Sequence, residues 1–246
     1  MTLLKKIILL SAIVLLVPSS ISAKIFLVSV GVADYPGTSM DLTLPDADAQ
    51  KITWVYSKNS QMQYSCLLNS EATRSNIIAA MNKVFSMAGV NDIVVFFYSG
   101  HGYKGGFCAY DGTLDYNVIR KAMARSKCRN KMIFADACFS GKIRTNGSSS
   151  QSEVAAAQKA NVMLFLSSRS NETSIEQRNM ENGYFTTYLQ KGLRGAADSD
   201  KNRIITAKEL FKYVHENVVK ISNGRQHPVM WGKFSDSMPV ISWKKR

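Results

Sequence analysis

The run DIVVFFYSG, residues Asp92–Gly100, constrains this chain more than any other stretch. It is an unbroken apolar block rich in β-branched and aromatic residues, too short for a core helix and without the alternation of a half-exposed strand. It therefore reads as a strand buried on both faces, which calls for a parallel sheet with helices packed on each side. The neighbouring segments fit that frame. KIFLVSVGV (24–32) reads as a second buried strand ended by the turn DYPG. PDADAQKITWVYSK opens with Pro45 and early acids that suit a helix N-terminus. After a weak strand near Tyr64–Leu68, Ile77, Ile78, Met81, Val84 and Phe85 recur at helical spacing until Gly89. KMIFADA (131–137) and NVMLFLSS (161–168) read as two more central strands, with a polar, serine-rich loop between them. YFTTYLQKGL and AKELFKYVHENVV read as helices, and HPVMWG as a late strand. With 246 residues and 46% hydrophobic content, the expectation is one α/β domain over residues 24–246, a three-layer α/β/α sandwich with a mostly parallel central sheet.

Residues 1–23 follow another pattern. Lys5 and Lys6 precede an apolar run from Ile7 to Val17, and small residues lead to Ala23. That is the layout of a secretory signal cleaved after Ala23, and the run is shorter than the ~20 residues a bilayer span needs. The mature chain is thus expected to be exported, periplasmic or extracellular, with no stable membrane anchor. The formal charge of +13 falls to +11 without Lys5 and Lys6. Its lysines and arginines are scattered, with no basic stripe interleaved with aromatics, so no nucleic-acid partner is expected. Four cysteines, Cys66, Cys108, Cys128 and Cys138, allow disulfides in an oxidising compartment, but spacing does not select a pair.

The search for chemistry narrows quickly because there are only three histidines. His101 sits between Gly100 and Gly102 directly after the strongest strand, whereas His215 falls inside a helix and His227 precedes Pro228. Cys138, in FADACFSG, follows another central strand in the same way. Ligands of parallel α/β sheets bind at the carboxyl ends of the strands, so the two side chains can meet at one rim. An imidazole beside a thiol can take its proton and later protonate a leaving amine, with no metal required. The plain alternative makes His101 a turn residue and Cys138 a small buried hydrophobe. Asp136, two residues before Cys138, leaves the same strand face, and Asp34 follows the first strand at the equivalent rim. Either aspartate could instead simply cap a turn.

FFYSGHG followed by IFADACFSG resembles the catalytic pair of the caspase and metacaspase cysteine peptidases, in the bacterial metacaspase-like branch of the caspase–hemoglobinase fold. The likeness extends through LPDADAQKI, SSRSNETS, GYFTTYLQKGLRGAAD and RQHPVMWG. It departs at Phe139, where metacaspases usually carry histidine, and in a His-to-Cys interval of 37 residues, against about 50 in caspases. The resemblance implies a His101/Cys138 dyad, an oxyanion held by the N–H groups of Gly102 and Cys138, and protein or peptide substrates with Arg or Lys at the cleaved position. It further implies that Asp136 and Asp34 line the specificity pocket, with Ser167 as a polar wall. Self-processing at Lys142, Arg144 or Lys159 in the 141–160 loop is implied as well. The rival reading is a catalytically silent relative acting as a binding module. The chain is expected to be a monomer.

DSDKNRIITAKE, Asp198–Glu209, matches a twelve-residue calcium loop by type through Asp198, Asp200, Asn202 and Glu209, but Arg203 takes the place of the usual glycine. The competing and commoner reading is a helix start, with Thr206 and Glu209 forming a capping box. No cofactor is expected to be required; calcium stays open through this loop.

Overall fold

The computed structural model describes residues 23–58, 61–103, 105–137, 162–167 and 183–243. The proposed signal segment and the 141–160 loop lie outside these residues. A six-stranded sheet forms the middle layer, its strands running in the spatial order Val229–Gly232, Val162–Leu166, Asn130–Asp136, Ile93–Ser99, Ile25–Gly31 and Met62–Leu68. Its strands are β1 (Ile25–Gly31), β2 (Met62–Leu68), β3 (Ile93–Ser99), β7 (Asn130–Asp136), β8 (Val162–Leu166) and β10 (Val229–Gly232). All neighbours are parallel except β10, which closes one edge antiparallel to β8. Every residue of β1 and β3 is buried, as their unbroken apolar runs require.

Alternation along the strands sorts the core into two halves. One face of the sheet carries Val28 and Val30 of β1, Phe96 and Tyr98 of β3 and Ile133 and Ala135 of β7. These pack on α2 (Arg74–Ser86) through Ile77, Met81, Val84 and Phe85, and on α3 (Tyr116–Arg125) through Ile119 and Met123. The other face, with Leu27, Val95, Phe97 and Phe134, packs on α1 (Pro45–Ser57), α4 (Tyr184–Lys191) and α5 (Ala207–Ile221). This is the three-layer α/β/α arrangement expected. At 25 cal/mol per Å², each fully buried Phe, Leu or Ile contributes roughly 1.5–3 kcal/mol before conformational entropy is counted.

Two small sheets add to this frame. Directly after β3 the chain forms β4 (Gly102–Tyr103), β5 (Gly106–Ala109) and β6 (Gly112–Asp115), an antiparallel set leading into α3. Near the C-terminus β9 (Ile204–Thr206) pairs with β11 (Pro239–Ser242). All are two to four residues long, too short to show a period of two in sequence.

The three described cysteines are free thiols. Cys66 packs in the half-core with α1, whereas Cys108 and Cys128 belong to the half-core with α2 and α3. Within that second half, the Cys128 Sγ donates to Asp92 O at the start of β3, while Cys108 O accepts from the Tyr98 hydroxyl near its end. The intervening strand spans seven residues; at ~3.3 Å each this far exceeds the ~7 Å Cα separation a disulfide tolerates. Burial raises the Cys66 and Cys108 thiols above their ordinary range and pushes Cys128 up to about 11.

Candidate active site

The carboxyl ends of β1, β3 and β7 lie level with one another: Gly31 pairs with Ser99, and Ser99 with Asp136. Beyond that row the ladder continues for one more contact, Gly100 N–H donating to Asp136 O at 3.2 Å. His101 and Ala137 therefore leave the rim from adjacent strands, whose spacing is about 4.8 Å. Cys138, like Lys142, Arg144 and Lys159, lies outside the described residues.

The His101 turn is held by contacts from distant parts of the chain. Gly100 has φ +149°, and a Cβ there would sit 2.5 Å from the Tyr98 hydroxyl and 2.9 Å from that of Tyr35. The two phenols fill the place a side chain would need, so the turn demands glycine. The imidazole Nε2 lies 2.8 Å from Met40 O, in a 3-10 turn at Thr38–Met40. A carbonyl oxygen can only accept, so Nε2 carries the hydrogen, and in the neutral ring Nδ1 then keeps the lone pair. An imidazole in that tautomer is set up to receive a proton at Nδ1. The Tyr35 ring packs on the imidazole with centroids 5.2 Å apart. Gly102, half-buried, begins β4 opposite Phe107.

The carboxylates separate by environment. Asp136 is 7% exposed, and its Oδ2 accepts from both the amide and the hydroxyl of Thr186 in the first turn of α4, at 3.3 and 2.9 Å. Asp34 is exposed at the end of β1, where its N–H donates to the Asn69 side chain. Ser167 is fully buried, and its hydroxyl accepts from Ala137 N–H at 3.3 Å, so it braces the residue that precedes Cys138. A further acid, Asp48, is 1% exposed and accepts from the Ser99 hydroxyl at 2.8 Å. Gly31 makes this approach feasible, since a Cβ there would meet Pro45 O at 2.2 Å. Asp48 and Asp136 thus bracket Ser99 on the α1/α4 face. Reading Asp48 only as a helix-start acid misses this placement. Its signal was periodicity, because Asp48 shares the inward stripe of α1 with Ala49, Ile52, Val55 and Tyr56.

The polar side chains of the Asp198–Glu209 loop are organised locally, while its β9 segment pairs with β11. Thr206 and Glu209 form a reciprocal capping box at the start of α5. One Glu209 oxygen accepts from the Thr206 amide and hydroxyl, and the other from those of Ser199. Asp198 and Asp200 accept from the amides of Asn202 and Arg203. Carboxylate oxygens of Asp198, Asp200 and Glu209 lie within 4.8 Å of one another, the one such acid cluster among the described residues that could hold a metal. Burial alone would raise the Glu209 carboxyl, but the hydrogen bonds from Thr206 and Ser199 outweigh it and hold the group below its ordinary range. Among the described residues no helix is long and apolar enough to cross a membrane.

Residues 26–238 match the family model described as caspase domain. No curated protein sequence matches the chain. A crystal structure of a Geobacter sulfurreducens protein superposes with a TM-score of 0.65 at 18% identity, covering 86% of this chain and 94% of that one. Caspase-1 from Spodoptera frugiperda gives 0.66 at 15% identity, covering 92% of each chain. A structure of pro-sf-caspase-1 gives 0.60 at 15% identity, covering 87% of this chain and 92% of that one. At these identities the likeness speaks to the fold.

Proposed function

Because this chain belongs to the caspase domain family, whose chemistry is that of cysteine peptidases, we propose that it is an exported cysteine endopeptidase cutting after Arg or Lys with His101 and Cys138. The observation that carries the proposal is the His101 ring, pinned through Nε2 by Met40 O at the carboxyl end of β3, one strand from the exit of β7 towards Cys138.

His101 Nδ1 takes the proton of the Cys138 thiol, and the thiolate attacks the scissile carbonyl carbon. The C=O π pair moves to oxygen, where the N–H groups of Gly102 and Cys138 receive the developing charge. The imidazolium, its Nε2–H still on Met40 O, then gives its proton to the leaving amine as the C–N bond breaks. Water, deprotonated by the same Nδ1, hydrolyses the thioester and restores the thiol. Asp136, with Asp48 on the same face, supplies negative charge for a guanidinium or ammonium, while Asp34 offers a solvated acid at the rim. An acidic substrate residue would be repelled there.

Self-cleavage at Lys142, Arg144 or Lys159 belongs to the same proposal, as does removal of residues 1–23 on export. The test is a panel of fluorogenic peptides ending in Arg, Lys, Asn or Asp. Wild type is expected to release fluorophore from the Arg and Lys members only, to lose this with Cys138→Ala, and to run as two fragments where Cys138→Ala stays whole. Equal turnover by Cys138→Ala would overturn the reading.

A further inference from the structure

The polar groups behind the His101 turn are two buried phenols, and they do more than fill space. Tyr35 Oη accepts the His101 N–H at 3.0 Å and lies 3.3 Å from Tyr98 Oη. Tyr98 Oη lies 2.8 Å from His101 O and 2.7 Å from Cys108 O and shares its one hydrogen between these carbonyls, and Tyr35 Oη lies 3.3 Å from Cys108 O as well. Cys108 N–H also donates to His101 O, at 2.9 Å. One path of hydrogen bonds thus runs from His101 N–H through Tyr35 and Tyr98 back to His101 O. Tyr98 also stacks on Phe107 at 4.2 Å, which fixes its ring. Tyr35 reaches the other side as well, its own N–H donating to the Asp41 carboxylate next to Met40.

His101 O belongs to the same peptide plane as the Gly102 N–H. A donor on that oxygen fixes the plane, directs the N–H the opposite way, and polarises it through cooperativity. We infer that Tyr35 and Tyr98 are positioning residues that act through the main chain of His101, together setting the imidazole and the Gly102 N–H at their working orientation. The inference rests on the proposed roles of His101 and Gly102. Tyr35 ties the base to the segment carrying Met40 O, and Tyr98 holds the oxyanion donor. Burial raises the hydroxyl pKa of both tyrosines, most strongly that of Tyr98, so they stay protonated donors at neutral pH.

The experiment uses Tyr35→Phe and Tyr98→Phe, which keep the rings and remove only the hydroxyls. With an Arg peptide, each is expected to lower kcat by at least about tenfold while KM stays within about twofold, since only the transition state uses the lost alignment. Tyr98→Phe is further expected to weaken a peptide aldehyde, whose adduct carries the oxyanion, by a similar factor. Its rate of iodoacetamide alkylation at Cys138, which needs no oxyanion hole, should hold. A second readout does not depend on turnover. In the Cys138→Ala background, the 15N spectrum of labelled histidine is expected to show His101 as the Nε2–H tautomer, and Tyr35→Phe to convert it to a mixture. A lower melting temperature with unchanged kcat, unchanged aldehyde affinity and an unchanged tautomer overturns the inference, making the phenols packing only. Full activity in His101→Ala would sink the proposed function instead, leaving the tautomer shift to judge the brace alone.

Discussion

The His101 turn and the Asp198–Glu209 loop are both short polar clusters that stand out in sequence, yet they are built in opposite ways. The imidazole and the N–H of His101 take partners from far along the chain, Met40 lying 61 residues away and Tyr35 66 away, while its carbonyl is bonded by the nearby Tyr98 and Cys108. Glu209 finds its partners within 10 residues, and Asn202 within four. Side chains that satisfy one another locally stabilise the helix they begin, even though the backbone of this loop, as β9, also pairs with β11. A turn whose groups are oriented by distant elements is held in place for something else, because the loop-closure entropy of those contacts has to be offset by the whole fold. The contrast can be attacked from both ends.

The largest expected effect is at Gly100. Gly100→Ala puts a Cβ against two phenol oxygens on a backbone at φ +149°, a strain of about 1–3 kcal/mol that displaces His101. Peptidase activity should fall more than about hundredfold, measured as kcat on an Arg peptide beside a circular dichroism check of folding. A near-normal kcat would mean that the turn does not position the base.

Asp136→Asn comes next. The amide oxygen can still accept from Thr186, but the charge proposed to face a basic substrate residue is gone. Charge-assisted hydrogen bonds are worth about 1.5–3 kcal/mol, so kcat/KM for Arg and Lys peptides should drop roughly tenfold to hundredfold. Alkylation of Cys138 by a small neutral reagent should not change. An equal loss on both would assign Asp136 to the architecture of α4 rather than to specificity.

Thr206→Ala tests the local cluster. Loss of an N-cap costs about 1 kcal/mol, a fall in Tm of about 2–4 °C for a chain of this size, with kcat unaltered. Glu209 titrates below its ordinary range when folded. Its linked stabilisation is therefore complete at neutral pH and is lost as pH falls from the usual glutamate range through the depressed value. The Tm deficit of Thr206→Ala should accordingly shrink in acid; a deficit that grows there would contradict the cap.

Calcium is expected to have the smallest effect of all. Each Glu209 oxygen already accepts two hydrogen bonds, so an ion must displace Ser199 and Thr206 donors to bind. Added calcium should leave both Tm and peptidase rate unchanged. A Tm that climbs with calcium concentration would show a ligand of the folded state and turn the loop into a cation site.

What the sequence disclosed follows the same division. Unbroken apolar runs gave the central strands, and Pro45, Thr206 and Glu209 marked helix starts that the structure has at those residues. His101 stood out because a histidine between two glycines after a buried strand has few structural uses. The rest was hidden for physical reasons. Met40 acts through its carbonyl, which every residue possesses. Tyr35 and Tyr98 look like ordinary core aromatics, since nothing local says that their hydroxyls converge on one peptide. Asp48 was masked by the preference of any acid for the first turn of a helix. The strands from Gly102 to Asp115 are too short and glycine-rich to carry a period, and the cysteine pattern could not reveal that a sheet stands between Cys66 and the others.

The most direct test of the account is the rate at which iodoacetamide labels each cysteine at mildly acidic pH, read by mass spectrometry in wild type and in His101→Gln. Cys66, Cys108 and Cys128 are raised by burial and should stay nearly unlabelled in both. Cys138 is expected to label fast in wild type and to slow to the rate of an ordinary thiol once the imidazole is gone. Equal labelling of Cys138 in the two proteins would mean that the histidine and the sulfur do not share a proton, and the account would fail.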